Sequence, residues 1–454
     1  MKVFDLIVIG SGSGLDLAVS ASEKGLKTAI IEKGPLGGTC LNRGCIPSKM
    51  LIHSADLISQ IKKSHLFGIK TKITKIDFKK IVSRVVKTVD QESREIENSL
   101  KHSKNPVLFK GPCKFIDFKT IKVNNEILKA EKILLAVGSR PIIPNIKGLN
   151  KVNYMTSAEA LRLKKFPKTM TIIGGGYIAA ELAHFYGSLG AKINIVQHNK
   201  LILPREDIDI SNKITELFKK RYNVFTEYEA EEVKKKGEKF ILKIKHNEKN
   251  ISKTLKSDQL LIAIGVTPNS DLLNLEKTKV KTDEKGFIKA NEFLETNIPG
   301  IYALGDCIGK FLFKHSANLE AEYVYSNLVL NKKEKVDYFA MPHAVFTNPQ
   351  IASVGFTEQE LKEKKIPYSV SKYSYIDTGM GHAIEEKDGF VKILVDKQGK
   401  ILGCHILGHE ASTLIHEVIV AMKSGNGNIK NIINSVHIHP ALSEVVQRAA
   451  NNLF

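Results

Sequence analysis

Asp5-Leu6-Ile7-Val8-Ile9-Gly10-Ser11-Gly12-Ser13-Gly14-Leu15-Asp16 opens the chain with an apolar run, a glycine-rich loop and the start of a helical stretch. The run is short and rich in branched aliphatic residues, which reads as a buried strand. The helical stretch continues from Asp16 to about Lys24, and a second apolar run, Thr28-Ala29-Ile30-Ile31, ends in Glu32. Strand, loop, helix and strand make a βαβ unit, the entry half of a dinucleotide-binding fold. Gly10, Gly12 and Gly14 leave room for backbone amides at the helix N-terminus to cradle a pyrophosphate. Glu32 stands where a carboxylate accepts hydrogen bonds from a ribose diol. The usual third glycine falls on Leu15, so helix–strand packing is expected to be altered there.

Working outward, the same grammar returns in mid-chain. Strand Thr169-Met170-Thr171-Ile172-Ile173 leads into Gly174-Gly175-Gly176-Tyr177-Ile178-Ala179, a helix to Leu189, and a strand from Lys192 to Val196. Two such units predict two nucleotide sites. The second has Gln197-His198-Asn199-Lys200 where an NAD site usually carries a carboxylate. Gln197 is neutral, and His198 and Lys200 could attract a 2′-phosphate, so NADPH is expected ahead of NADH.

Composition narrows the class. The 454 residues carry 68 Lys+Arg against 48 Asp+Glu, a formal net charge of +20. The lysines are spread along the chain without a basic stripe interleaved with aromatics, so no nucleic-acid partner is expected. Attraction of anionic nucleotides or an acidic partner is the milder reading. No apolar stretch approaches a membrane span, and Met1-Lys2-Val3-Phe4-Asp5 does not read as a signal peptide, so a cytoplasmic protein with no membrane partner is expected. The five cysteines do not form the dense framework of a small secreted domain.

Two of those cysteines lie close together, in Gly37-Gly38-Thr39-Cys40-Leu41-Asn42-Arg43-Gly44-Cys45-Ile46-Pro47-Ser48-Lys49. The spacing puts them on adjacent turns of a helix or its distorted start, near enough to bridge. Such a pair suits zinc, a structural disulfide or thiol–disulfide exchange. Zinc needs further ligands, and no second Cys/His cluster of suitable spacing appears, so no metal is expected. A helix N-terminus and a nearby cation such as Lys49 lower a thiol's pKa, which favours exchange. Near the C-terminus stands His437-Ile438-His439-Pro440-Ala441-Leu442-Ser443-Glu444. His439 is expected at a helix start with Glu444 one turn inside, where the carboxylate would fix the imidazole tautomer.

Gly-Gly-Thr-Cys-x4-Cys-Ile-Pro-Ser-Lys strongly resembles the class I pyridine nucleotide–disulfide oxidoreductases, and the resemblance runs end to end. Leu135-Ala136-Val137-Gly138-Ser139-Arg140-Pro141, Leu304-Gly305-Asp306, and Phe346-Thr347 through Val354-Gly355 resemble further motifs of that family. The resemblance implies an α/β fold with two Rossmann-like dinucleotide-binding domains, for FAD and NAD(P), plus a C-terminal α+β dimerisation domain. The expected segments are 1–148 for the first part of the FAD domain with its redox-active disulfide, 149–268 for NAD(P), 269–336 for the second part of the FAD/central domain, and 337–454 for dimerisation. It implies FAD, NADPH or NADH, and a homodimer that shares its active sites.

The roles implied residue by residue are these. Cys40 attacks the external disulfide, Cys45 contacts the flavin, and the His439–Glu444 dyad of the partner subunit protonates the leaving thiol. Lys49 pairs with Glu181 beside the flavin, and Tyr177 covers the nicotinamide. Thr39, Gly138, Asp306 and His315 join Gly10, Gly12, Gly14, Glu32 and Lys49 around FAD. Gly174, Gly176, Ala179 and Gly265 join Tyr177, Glu181, Gln197, His198 and Lys200 around NAD(P).

The substrate is less sharply implied. Cys-Ile-Pro-Ser-Lys and His315 resemble dihydrolipoamide dehydrogenases. The glycine loop, Lys314-His315-x-Ala317-Asn318 and the non-acidic Gln197 are more similar to mycothione reductases. An NADPH-dependent reductase of a low-molecular-weight disulfide is expected first, and an NAD-linked dihydrolipoyl dehydrogenase second. A flavoprotein scaffold without redox function is the reading from another class; the intact cysteine pair and dyad argue against it.

Overall fold

The structure, a computed structural model, describes residues 1–453. The chain separates into two compact units, each discontinuous in sequence. The first comprises residues 1–50, 80–142 and 265–337; the second comprises residues 51–79, 143–264 and 338 onward.

In the first unit, strands β1 (Lys2–Ile9), β2 (Thr28–Glu32), β3 (Val107–Lys110), β4 (Cys113–Asp117), β5 (Thr120–Val123) and β6 (Glu126–Leu135) line up in the order β3-β2-β1-β6-β5-β4. The strand Ile301–Ala303 adds to β6, giving seven strands among the described residues. β1 runs parallel to both neighbours, with Ile7 opposite Ala29 and Ile133. A parallel strand covered on both faces must be apolar throughout, which is why Leu6, Ile7 and Val8 are all fully buried. Ile7, Ile9, Ile31, Ile133 and Leu135 feed one core layer. Leu6, Val8, Ile30 and Leu134 feed the other, against Leu17, Ala18 and Ala21 of helix α1 (Gly14–Glu23). Each fully buried aliphatic side chain contributes about 1.5–3 kcal/mol, so this sheet fixes where the first glycine loop emerges.

Close packing of helix on strand falls at Gly14, one residue before Leu15. A Cβ on Gly14 would lie 2.9 Å from Val8 Cγ1 and 3.0 Å from the Ala136 Cβ. Gly14 itself therefore provides the close approach of helix to sheet, and Leu15 turns outward to a half-buried position.

The cysteine segment and the residues after it form α2 (Gly38–Arg43), α3 (Cys45–Lys63) and α4 (Phe78–His102). Gly44 separates the first two with φ −137° and ψ −115°. A Cβ there would stand 2.9 Å from the Thr39 carbonyl oxygen. The break puts Cys40 in one helix and Cys45 at the start of the next.

In the second unit the strands Asn223–Thr226, Lys192–Gln197, Thr169–Ile173 and Gln259–Ile262 form a parallel sheet in that order. Beside it, Tyr228–Lys236, Lys239–His246 and Ser252–Ser257 pair antiparallel. Phe240, Leu242 and Ile244 are buried while Lys239, Lys243 and Lys245 are exposed, the alternation of a half-buried ribbon. Residues from 342 onward build a five-stranded antiparallel sheet, Pro342–Val345, Gln350–Gly355, Ile401–Gly408, Phe390–Val395 and Ser369–Ser374 in spatial order. Leu414, Ile415 and Val418 of the helix Ala411–Lys423 pack on it with Val445, Val446 and Ala449 of the helix Glu444–Asn451. No helix among the described residues is long and apolar enough to cross a membrane.

Candidate active site

β1 delivers the chain to Gly10, whose amide donates to the Ile31 carbonyl at 2.8 Å. Gly10 has φ +105°, and a Cβ would sit 2.2 Å from the Ala136 carbonyl oxygen, so no other residue fits without moving the sheet. A Cβ on Gly12 meets nothing within 4 Å, whereas one on Gly38 would lie 2.7 Å from the Gly12 Cα. The loop therefore carries its open side at Gly12 and is backed by the start of the cysteine helix. Ser11 donates its amide and hydroxyl to Glu32 Oε2 at 2.9 and 2.8 Å, and Gly34 N–H donates to Oε1 at 2.7 Å. Glu32 thus shapes the loop as well as standing at the expected strand end.

Asp306 completes this face of the first unit. Burial raises its pKa, and Ser139 Oγ donates to its Oδ2 at 2.5 Å. Gly138, with φ +64°, again has open space where a Cβ would point. A recessed carboxyl with one protein hydroxyl on it, an open glycine loop and a carboxylate at a strand end fit a flavin dinucleotide. Glu32 and Asp306 would hold its ribose and ribityl hydroxyls, and the amides after Gly10 would hold its phosphates. His315 is exposed and stacks on Phe313, with ring centroids 5.3 Å apart at 8°. Thr39 is exposed on α2.

Cys40 and Cys45 are both free thiols of intermediate exposure. The Cys45 thiol donates to Cys40, which draws the Cys40 pKa down from 9.0 to about 7 against the opposing effect of burial. The positive charges of Lys314 and Lys49 act in the same direction. The same bond, with burial behind it, pushes Cys45 far up. Lys314 starts the helix Lys314–Val324 and is held by Ser13 Oγ at 2.8 Å, which in turn donates to Asn318 Oδ1 at 2.9 Å. Lys49 lies one turn along α3 from Cys45, and its Nζ is 3.3 Å from Ser48 Oγ. A dithiol in hydrogen-bonding contact, with one sulfur poised to ionise near neutrality, is the arrangement that thiol–disulfide exchange requires.

In the second unit Gly174 (φ +114°) repeats the fit of Gly10, with a Cβ 2.2 Å from the Ala263 carbonyl oxygen, while Gly176 opens to space. Ala179 is fully buried in the first turn of the helix Tyr177–Ser188. Glu181, one turn on, is buried and accepts from Phe346 N–H at 3.1 Å. Gln197 is 6% exposed, lies against Gly175 as Glu32 lies against Ser11, and donates Nε2 to the Leu201 carbonyl at 3.0 Å. His198 and Lys200 are exposed, and His198 lies 2.9 Å from Glu229. Gly265 has φ +125° and belongs to the first unit.

His439 Nδ1 lies 3.0 and 3.2 Å from the two oxygens of Glu444. The imidazole is 74% exposed and the carboxylate 7%. The bond from His439 holds Glu444 below the ordinary carboxylate range. The helix begins at Glu444 itself, not at Pro440, because residues 441–443 form a turn that Ala441 N–H closes onto Glu444 Oε2. With Nδ1–H committed to the carboxylate, Nε2 is left for a proton transfer.

A model of the pyridine nucleotide-disulphide oxidoreductases matches residues 4–322, and that family's dimerisation domain matches residues 341–450. The chain belongs to the pyridine nucleotide-disulphide oxidoreductase family. It is therefore a FAD-dependent oxidoreductase that acts on sulfur groups with NAD(P)H as electron donor. Dihydrolipoyl dehydrogenase of Chlamydia trachomatis is 34% identical over 99% of this chain and 96% of its own length. Mycothione reductase of Mycobacterium tuberculosis is 32% identical over 99% of both chains. Mercuric reductase of Staphylococcus aureus is 33% identical over 98% of this chain and 82% of its own. Among solved structures, the HOCl-induced flavoprotein disulfide reductase RclA of Escherichia coli is similar over 100% of both chains, at 26% identity and a TM-score of 0.89.

Some partnerships in this oxidoreductase escape a reading of motifs. Lys314 and Asn318 reach Ser13 of the first nucleotide loop, and Ser139 reaches Asp306, only through tertiary structure. All four residues lie inside family motifs, so each had a signal. Glu206, which accepts from Tyr177, and His343, which bonds to Glu206 and lies against the Tyr177 ring, had none.

Proposed function

We propose that this flavoprotein reduces a low-molecular-weight disulfide with NADPH, working as a cytoplasmic homodimer through Cys40 and Cys45. The observation that carries the proposal is the hydrogen-bonded dithiol, with Cys40 lowered to about 7. The Cys40 thiolate attacks one sulfur of the external disulfide, forming a mixed disulfide and displacing a first thiolate. His439 of a second copy, oriented by Glu444, gives that thiolate its proton. Cys45 passes its proton to the imidazole left free by that transfer and attacks the Cys40 sulfur; the second thiolate leaves and a Cys40–Cys45 disulfide closes. Two electrons have passed to the substrate. Bound FAD supplies the two-electron chemistry that links NAD(P)H to this disulfide.

Exposed His198 and Lys200, with no carboxylate at the end of the strand Lys192–Gln197, support NADPH. The dyad, Lys49, Tyr177 and Glu181 are assigned here to the reaction, and the two glycine loops to FAD and NAD(P). A second reading, an NAD-linked dihydrolipoyl dehydrogenase, is favoured by Cys45-Ile46-Pro47-Ser48-Lys49 and by the relatives of that name. The test is a steady-state matrix of NADH and NADPH against lipoamide, glutathione, mycothiol and bis-γ-glutamylcystine disulfides. Turnover of a small disulfide with NADPH is expected. Efficient lipoamide turnover with NADH alone would reverse the order, and a colourless protein inactive on every pair would point to a scaffold.

A further inference from the structure

Tyr177 starts its helix directly after the open Gly176 of the second glycine loop. Its hydroxyl is not left to water. It donates to Glu206 Oε1 at 2.5 Å. The Glu206 side chain is fully buried and receives His343 Nε2 at 2.9 and 3.0 Å and Ser353 Oγ at 2.9 Å. The His343 ring also lies against the tyrosine ring, with centroids 5.8 Å apart at 18°.

Four separate segments meet here: a helix start, the loop after the strand Lys192–Gln197, and the strands Pro342–Val345 and Gln350–Gly355. The loop is itself tied to the glycines, since Leu203 N–H donates to the Gly175 carbonyl at 2.8 Å. Gln359 Nε2 donates to the Glu206 carbonyl at 2.7 Å. Burial pushes the Glu206 pKa up, but the bonds from His343, Tyr177 and Ser353 outweigh it and keep it low. The neighbouring charges are Arg205, exposed beside Tyr177, and the buried Asp207 and His405. Asp207 is answered by Lys392 at 2.8 Å, which leaves Glu206 to His343, Tyr177 and Ser353.

We propose that Glu206 and His343 are positioning residues that tether Tyr177, making its ring a fixed wall of the nicotinamide-nucleotide site and not a freely swinging cover. The inference rests on the reading above that Tyr177 flanks the nicotinamide. A charged bond on the hydroxyl and a ring stacked behind it remove the rotamer freedom that a swinging tyrosine needs. The wall contributes to holding the nucleotide, whereas the disulfide half of the reaction proceeds without it.

The test is a double-mutant cycle on the flavin-loaded enzyme, reading the Kd of NADPH and of NADH from stopped-flow flavin reduction. Tyr177→Phe keeps the ring and cuts the tether, and Glu206→Gln removes the charge it is tied to. Each single change is expected to weaken nucleotide binding about tenfold, the scale of one charged hydrogen bond, with the dithiol-to-disulfide step unchanged. In the Tyr177→Phe background Glu206→Gln is expected to add nothing, because its effect runs through the hydroxyl. Equal effects of Glu206→Gln in both backgrounds would overturn the tether while leaving Tyr177 at the nicotinamide. Tyr177→Ala without effect on nucleotide binding would remove the underlying reading, and the tether with it. His343→Gln, at a partly exposed position, repeats the cycle if Glu206→Gln does not fold.

Discussion

Nδ1 of His439 stands 3.0 Å from Oε1 of Glu444, an exposed imidazole on a buried carboxylate. The pair presents Nε2 outward with its tautomer fixed. His439→Gln is expected to cut disulfide turnover by roughly 10²–10⁴-fold, the usual contribution of a general acid–base group. Glu444→Gln should cost less, because the imidazole remains. Flavin reduction by NAD(P)H should be unchanged in both, so stopped-flow traces of the two half-reactions check the assignment. Slowed flavin reduction would place the dyad elsewhere in the cycle.

Cys40, not Cys45, should be the first thiol alkylated in the reduced enzyme. Its pKa is lowered, so thiolate accumulates as pH rises through about 7. Iodoacetamide labelling followed by peptide mapping should give a midpoint near that pH and a slow Cys45. Cys45→Ala removes the largest cause of the lowering and should move the midpoint upward; Lys314→Met should do so by less. Cys40→Ser should abolish disulfide turnover while bound flavin stays reducible.

Gly10 and Gly12 should fail differently. Gly10→Ala drives a Cβ to 2.2 Å from the Ala136 carbonyl oxygen, so the sheet itself is disturbed and the melting temperature should fall. Gly12→Val meets no protein atom within 4 Å of its Cβ and should fold normally, yet lose the flavin spectrum because the side chain fills the cradle. A stable, yellow Gly12→Val protein would contradict the placement of FAD.

Lys392 is buried, with Nζ at 2.8 Å from Asp207, 2.6 Å from Glu358 and 3.1 Å from Asp209. Lys392→Met leaves the buried Asp207 without its lysine, while Glu358 keeps Lys362 and Asp209 keeps Lys372, and should destabilise the protein by about 3–5 kcal/mol. Urea unfolding followed by far-UV circular dichroism measures it. A loss below about 1 kcal/mol would mean the acids relax to water or to other partners.

Reversing charge at the exposed Lys200 should separate the two nucleotides. Lys200→Glu is expected to raise KM for NADPH about tenfold or more and leave KM for NADH nearly unchanged, because only NADPH carries the 2′-phosphate. Parallel changes for both nucleotides would argue against a phosphate contact there.

Much of this was legible in the chain itself. The fold class was written in β1 and Thr169–Ile173, because a parallel strand buried on both faces must be apolar throughout, and glycines must follow where backbone packs on backbone. The cysteine pair and its cation were legible for a similar reason: they are local, one helical turn apart. Other features were not. The break at Gly44 depends on the Thr39 carbonyl behind it, and Gly14 replaces the missing third glycine because Val8 and Ala136 lie beneath it. The bond from Gln197 Nε2 to the Leu201 carbonyl, which sets the side chain against Gly175, was likewise not legible.

Sequence alone settled the periodic and the local: which strands are buried, where the chain can turn tightly, and which sulfurs can meet. Tertiary structure decided which distant side chains share a charge or a proton. Lys314 reaches Ser13 beside the dithiol, and His343 reaches Glu206 behind Tyr177. Pairings of that kind follow from how strands and loops far apart along the chain are brought together, and no short window of residues encodes them.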